Sequence, residues 1–210
     1  MSRFSQAISE GDGISVIPVL EGDVEVLAEI AEAAGAEAVA VGAGDIGLAR
    51  GRTGLPIIVR GYEIYRRNDL EAVSRAGADA CIIVFDPPAG EGELLEELYP
   101  FARELGLDCA VDVRKEDELE RVLERVDPDI VLISERELER DEEDLERTLD
   151  LLADVPAGKL VISDARVVAR EQVVALERAG VDAVLVRGLA PGENFSAALE
   201  ELAGGSGAHR

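Results

Sequence analysis

The chain has 210 residues, 45 acidic against 21 basic, and a formal net charge of −24 with its single histidine neutral. A hydrophobic fraction of 47% supplies a sizeable core, which excludes a disordered chain, because disorder pairs high net charge with low hydrophobicity. So negative a surface repels phosphodiester backbones and anionic headgroups over a Debye length of about 8 Å, so neither nucleic acid nor membrane is expected as a partner.

The opening MSRFSQAISEGDG has no apolar signal core, and no run approaches the roughly 20 apolar residues of a membrane span, so a cytoplasmic location is expected. Short apolar runs then recur at 14–20, 36–42, 55–60, 79–85, 107–113, 129–134, 159–164 and 182–187. They are apolar on successive residues, as expected of parallel strands buried on both faces. Between them the 3.6-residue spacing of Leu, Val and Ala predicts helices over 24–34, 69–76, 93–105, 116–126, 143–153, 169–179 and 195–203. The segment GAGDIGLARGRTG after the second run is too rich in glycine for a helix and reads as an irregular loop, a candidate lid. Cys81 and Cys109 fall in ACIIVF and LDCAVDV and read as buried, reduced thiols.

Three helix exits share one device, AGAEAV, AGADAC and AGVDAV: glycine ends the helix and an acid precedes the next strand. Eight strand–helix units fill the chain and predict a single-domain (β/α)8 TIM barrel over 1–203, followed by a flexible tail, GGSGAHR, over 204–210. An open doubly wound sheet would leave two edges to protect, and no G-x-G-x-x-G follows the first strand.

In a closed barrel, chemistry sits at the carboxyl ends of the strands. Those ends offer Glu21, Arg60, Tyr62, Asp112, Arg114, Lys115, Ser134, Arg136, Ser163, Asp164, Arg166, Arg187 and Gly188. For any one of them a loop salt bridge or helix cap is the commoner role. No metal is implied, because His209 is the only histidine and the cysteines lack ligand spacing. The same shortage excludes a Ser-His-Asp nucleophile. Phosphate is the favoured anion: the loops after the seventh and eighth strands carry SDARV and RGLAPGENF, where Gly188 and Gly192 admit close backbone approach and Arg166 and Arg187 neutralise charge. Asp164 opposes an anion there unless an arginine pairs with it.

The stretches LPIIVRGYEIY, AGADACIIVFD, LGLDCAVDVRKEDELERVL, IVLISERELERDEEDLERTLDLL and VISDARVVAREQVVALERAGVDAVLVRG resemble the indole-3-glycerol phosphate synthase family. The likeness covers 55–203, extends more loosely over ISVIPVL, and lacks the family's N-terminal helical extension. It implies a (β/α)8 lyase of tryptophan biosynthesis that closes an indole ring on a carboxyphenylamino deoxyribulose phosphate, with loss of CO2 and water. No cofactor is implied; the partners it implies are a phosphorylated small molecule and either another enzyme of that pathway or a second copy of the chain.

Carried across by motif, the first-strand pattern AEIK corresponds to PVLE, placing Val19 and Glu21 there. The third-strand LRKDF, whose lysine is the family's general acid, becomes VRGY, with Arg60 or Gly61 at the lysine and Tyr62 at the aromatic. The fifth-strand glutamate becomes Asp112, the sixth-strand asparagine Ser134, and Arg136 matches the arginine of N-x-R-D-L. The seventh-strand E-S-G becomes Ser163, Asp164 and Ala165. The resemblance thus implies Asp112, Arg60 and Glu21 as catalytic, Arg136, Ser134 and Tyr62 as substrate-binding, and Ser163, Arg166, Arg187 and Gly188 as phosphate-binding. Arginine, with a pKa above about 12, is a poor proton donor near neutrality, so a barrel that binds a phosphate ligand or a partner without turnover is the alternative.

Overall fold

A computed structural model describes residues 2–11, 13–60, 64–85, 94–134, 145–189 and 193–204. Its strands are β1 (Ser15–Pro18), β2 (Val39–Val41), β3 (Ile57–Val59), β4 (Ala80–Val84), β5 (Asp108–Val113), β6 (Ile130–Ser134), β7 (Leu160–Asp164) and β8 (Ala183–Val186). The helices are α1 (Arg3–Ser9), α2 (Val24–Ala33), α3 (Ile46–Arg50), α4 (Arg67–Ala76), α5 (Leu95–Glu104), α6 (Glu116–Arg125), α7 (Glu146–Leu152), α8 (Arg170–Ala179) and α9 (Glu193–Ala203). All strand pairs are parallel, in the order β1-β8-β7-β6-β5-β4-β3-β2. The ring closes between β1 and β2 through a bridge from Val19 to Ala40, where Leu20 N–H donates to Ala40 O at 2.8 Å. The expected TIM barrel is therefore what the chain forms, and each apolar run contains one strand.

Alternation along the strands sorts the core into two layers. Ile17, Ile58, Ile82, Leu132, Ile162 and Leu185, with alanines between them, fill the barrel interior. Their neighbours, such as Val59, Ile83, Val111 and Ile133, pack outward against the helices. Each inward isoleucine or leucine contributes roughly 1.5–3 kcal/mol relative to exposure.

Two elements differ from the sequence reading. The N-terminal segment, given no element there, forms α1, whose Phe4 and Ile8 sit four residues apart on one face and plug the interior from below. Asp108 fixes this plug, accepting from Ser5 N–H at 2.7 Å and from Ser2 Oγ. The segment read as a loop contains α3, so that reading is corrected. Its apolar Ile46 and Ala49, both fully buried, share one face of the turn although Gly47 lies between them in sequence. Arg50 then ties the helix down, donating to Leu55 O at 2.9 Å and Gly77 O at 3.1 Å and pairing with Asp79.

The repeated helix exits act as the floor of the barrel. Gly77 and Gly180 both take φ +101°, a left-handed turn that suits glycine. Two residues on, the carboxylates accept from the neighbouring strand: Asp79 from Ile57 N–H at 2.8 Å, and Asp182 from Val161 N–H at 2.7 Å. Burial pushes the Asp182 carboxyl above its ordinary range. Cys81 and Cys109 are free, buried register partners on β4 and β5, and burial, with Cys81 alongside, pushes the Cys109 thiol well up. Among the described residues no helix is long and apolar enough to cross a membrane.

Candidate active site

The alternation that fills the interior also decides which residues face the barrel mouth. Continuing each inward series by two residues gives Glu21, Gly42, Arg60, Val84, Asp112, Ser134, Asp164 and Arg187. This cup holds five of the expected site residues and one more, Asp164, which the sequence placed at the seventh strand end without a catalytic or binding role.

Asp164 is the hub. It is 1% exposed, with Oδ2 at 3.2 Å from Arg60 Nη2 and Oδ1 at 3.2 Å from Arg187 Nη2. The Arg187 proton is aimed elsewhere, at the Asp164 backbone oxygen at 3.0 Å, so the side-chain contact is an ion pair without hydrogen-bond alignment. Two guanidinium groups from β3 and β8 thus converge on one carboxylate, meeting the condition under which an acid beside an anion site is tolerable. Arg60 lies deeper, with 15% of its side chain exposed against 38% for Arg187.

Asp112 shares this layer and is 1% exposed. Ser134 is fully buried, and its Oγ lies within hydrogen-bonding distance of no partner among the described residues. Glu21 is exposed at the rim. Gly188 is also exposed, at φ +71°, with open space where a Cβ would stand, which leaves its backbone accessible. Arg166 is exposed in the loop after β7.

Other expected groups face away. Ser163 has the opposite alternation: its Oγ meets Thr148 Oγ1 of α7 at 3.1 Å and accepts from Ala165 N–H at 3.4 Å. The structure therefore does not bring Ser163 to the cup, because consecutive strand residues point to opposite faces. Arg114 turns back onto Glu118 of α6 at 2.8 Å as a buried pair. Lys115 is exposed at the start of α6. Lys159 sits at the floor, held by Asp127 Oδ1 at 2.7 Å and Pro128 O at 2.9 Å. Tyr62, Arg136 and Gly192 lie outside the described residues, as does the tail from 205.

The cup can bind an anion through two oriented arginines and, at Asp112, offer a shielded carboxyl for proton transfer. Among the described residues no group of three or more His, Cys, Asp or Glu side chains is placed to hold a metal.

The family model for indole-3-glycerol phosphate synthase matches residues 21–202. The chain belongs to that family. A synthase of that name from Geobacillus thermodenitrificans (strain NG80-2) is 33% identical over 132 residues, 63% of this chain and 50% of that protein. The one from Priestia megaterium (strain ATCC 12872 / QMB1551) is 34% identical over 138 residues, 65% of this chain and 53% of its own length. The match thus spans about half the length of these curated relatives. A solved structure of a mutant tryptophan synthase alpha-subunit from the hyperthermophile Pyrococcus furiosus superposes with a TM-score of 0.69 at 20% identity, covering 90% of this chain and 98% of that one; this likeness concerns the fold alone.

Proposed function

We propose that the cup performs the ring closure of its family, converting a carboxyphenylamino deoxyribulose phosphate to indole-3-glycerol phosphate with loss of CO2 and water. The observation that carries this reading is the convergence of Arg60, Asp164 and Arg187 in one ion cluster, in the same inward layer as the buried Asp112. The cluster brings two guanidinium cations together on one carboxylate in a chain of net charge −24. A substrate bearing both a carboxylate and a phosphate needs such a cation to enter so acidic a protein.

Depth divides the work. Arg187, nearer solvent and followed by the open backbone of Gly188, takes the phosphate, with Arg166 at the rim. Arg60, deeper, takes the substrate carboxylate or the carbonyl oxygen that gains charge as the ring closes. Because arginine keeps its proton near neutrality, Arg60 stabilises that oxygen without protonating it, and proton transfer falls to Asp112, with Glu21 as a second carboxyl at the entrance. Ser134, Tyr62 and Arg136 complete the substrate-binding set. The only inward acid of the seventh strand end is Asp164, so the family's E-S-G acid is assigned to Asp164, and Ser163 is withdrawn from the phosphate set. No cofactor is required. A phosphorylated, water-soluble substrate fits a cytoplasmic location, with a second copy or another enzyme of tryptophan biosynthesis as partner.

A second reading rests on one feature of the sequence: Arg60 or Gly61, and no lysine, stands where the family pattern has a lysine general acid. A barrel that binds the phosphate ligand without turning it over would keep this cluster and dispense with the acid. Fluorescence detection of indole-3-glycerol phosphate formation separates the two. Turnover in the unmodified chain, reduced about 100-fold or more in Asp112→Ala and in Arg60→Ala, is expected for the synthase reading. Absent turnover together with thermal stabilisation by phosphate supports the binding reading. Neither signal rejects both.

A further inference from the structure

We infer that Glu118 of α6 is a positioning residue for the reaction: by holding the Arg114 guanidinium on its helix, it sets the positive charge that reaches the Asp112 carboxyl. The inference rests on the reading of Asp112 as the group that supplies the proton. Arg114 follows Asp112 by two residues at the end of β5, and residues so spaced on a strand point to one side. Its side chain nonetheless turns back to the helix: Nη2 donates to Glu118 Oε1 at 2.8 Å and Nε to Glu118 Oε2 at 3.3 Å. The Arg114 backbone N–H donates to the same Oε2 at 2.8 Å. Both residues are buried, Glu118 at 5% exposure and Arg114 at 9%.

Helix capping accounts for only part of this arrangement. Glu118 is the third residue of α6, and the third residues of α4 and α8 make equivalent bonds to backbone. Asp69 Oδ2 accepts from Tyr65 N–H at 3.1 Å and Arg66 N–H at 2.9 Å, and Gln172 Oε1 accepts from Val168 N–H at 2.8 Å and Ala169 N–H at 3.1 Å. A neutral amide therefore suffices for the cap. What Glu118 adds is charge, and that charge is committed to Arg114. Stability does not explain it, because desolvation offsets the attraction within a buried ion pair. Its place beside Asp112 does. The strands flanking β5 turn Val84 and Ser134 into the cup, neither of them charged. Among the described residues the cup's other charged groups are Arg60, Asp164 and Arg187, joined in one cluster, with Glu21 at the rim. A further guanidinium released beside Asp112 lowers the pH at which that carboxyl gives up its proton, by about one unit for an opposite charge within about 4–6 Å. About tenfold fewer molecules then hold the proton at neutral pH.

The test reads Asp112 directly, by carbon-13 NMR of the full chain labelled at its aspartate carboxyl carbons. The Asp112 signal is identified by its absence in Asp112→Asn and followed through a pH series. Glu118→Gln, which keeps the cap in the manner of Gln172, should lower the Asp112 midpoint by about one unit. Adding Arg114→Met, which removes the released cation, should restore it. An unchanged midpoint in Glu118→Gln overturns the proposal. So does a shift that persists in the double variant, because the strand end has then moved and charge is not the cause. Where circular dichroism shows Glu118→Gln unfolded, Glu118→Asp takes its place: one methylene shorter, it loosens the same contacts, and an unmoved midpoint there is equally fatal. None of these readings needs turnover, which fluorescence detection of indole-3-glycerol phosphate follows separately. Absent turnover alongside the shift rejects the ring-closure reading and leaves Glu118's control of Asp112 standing. Turnover whose pH profile moves with the midpoint supports both, and turnover whose profile ignores a moved midpoint overturns the role in the reaction.

Discussion

Across the barrel mouth, Asp164 Oδ2 on β7 lies 3.2 Å from Arg60 Nη2 at the end of β3. These residues are 104 apart in sequence, and their strands are not neighbours in the sheet. The contact therefore bridges the cup instead of following its wall. With Arg187 on the other carboxylate oxygen, it fixes two cations whose long side chains would otherwise sample many rotamers.

Replacing Asp164 by asparagine should move stability and anion affinity in opposite directions. The amide keeps the shape but leaves two guanidinium groups facing each other, at a cost of about 2 kcal/mol, below the usual figure for a buried pair because Arg187 is partly solvated. For a chain of this size that lowers the melting temperature by about 4–8 °C. Removing the negative charge also raises affinity for inorganic phosphate by roughly tenfold, near 1.4 kcal/mol. Thermal scans across a phosphate series measure both. A variant less stable and also less responsive to phosphate would place the anion elsewhere.

How much of this was legible in the sequence follows from period and direction. The strands announced themselves because buried parallel strands are apolar at every position, so ACIIV or IVLIS cannot be mistaken for amphipathic surface. The helix α3 stayed hidden because a five-residue helix in a segment with five glycines carries too little periodicity; what forms it is Arg50 reaching across to Gly77 and Leu55, a tertiary contact. In the cup, the residue types were readable but their facing was not. Ser163 and Asp164 are adjacent, and the alternation from Ile162 decides that the acid points in and the serine out. That rule was available in the sequence, and counting inward from Ile162 would have found Asp164.

The short helix α1 is predicted to be part of the barrel's stability and no mere appendage. Phe4 is fully buried among the interior side chains at the floor. Phe4→Ala should cost about 3 kcal/mol through lost burial and the cavity left behind. Urea unfolding should show a lower midpoint with an unchanged slope, because the same surface is exposed on unfolding. A change under about 0.5 kcal/mol, the size of an ordinary surface effect, would mean the plug is dispensable.

At the floor, Asp182 supplies a pH-dependent difference of known sign. Burial raises its folded-state pKa, so the fold prefers the protonated acid: its contribution is most favourable below the ordinary 3.8 and is lost as pH rises through the raised value. Asp182→Asn retains an oxygen to accept from Val161 N–H and carries no charge to desolvate. At pH 7 the variant should therefore melt above the unmodified chain. The gap should close as pH falls through and below 3.8, where Asp182 becomes neutral in both states. A variant that melts lower at every pH would mean that the charge strengthens the bond to Val161 more than burial penalises it.

Arg60→Lys tests what the third strand end withholds. Lysine, with an ordinary pKa near 10.4, gives up a proton far more readily than arginine and remains charged enough to face Asp164. A single donor point replaces the planar fork, so the pair with Asp164 weakens and some stability is lost. If proton supply limits ring closure, kcat should rise by about 100-fold, at the lower end of what a positioned acid contributes. The diagnostic is the pH profile, which should gain a falling limb on the alkaline side as the lysine deprotonates; Arg60 cannot produce one. A variant with lower kcat and no new limb would show that the guanidinium is needed for its geometry and that proton supply from this position does not limit the rate.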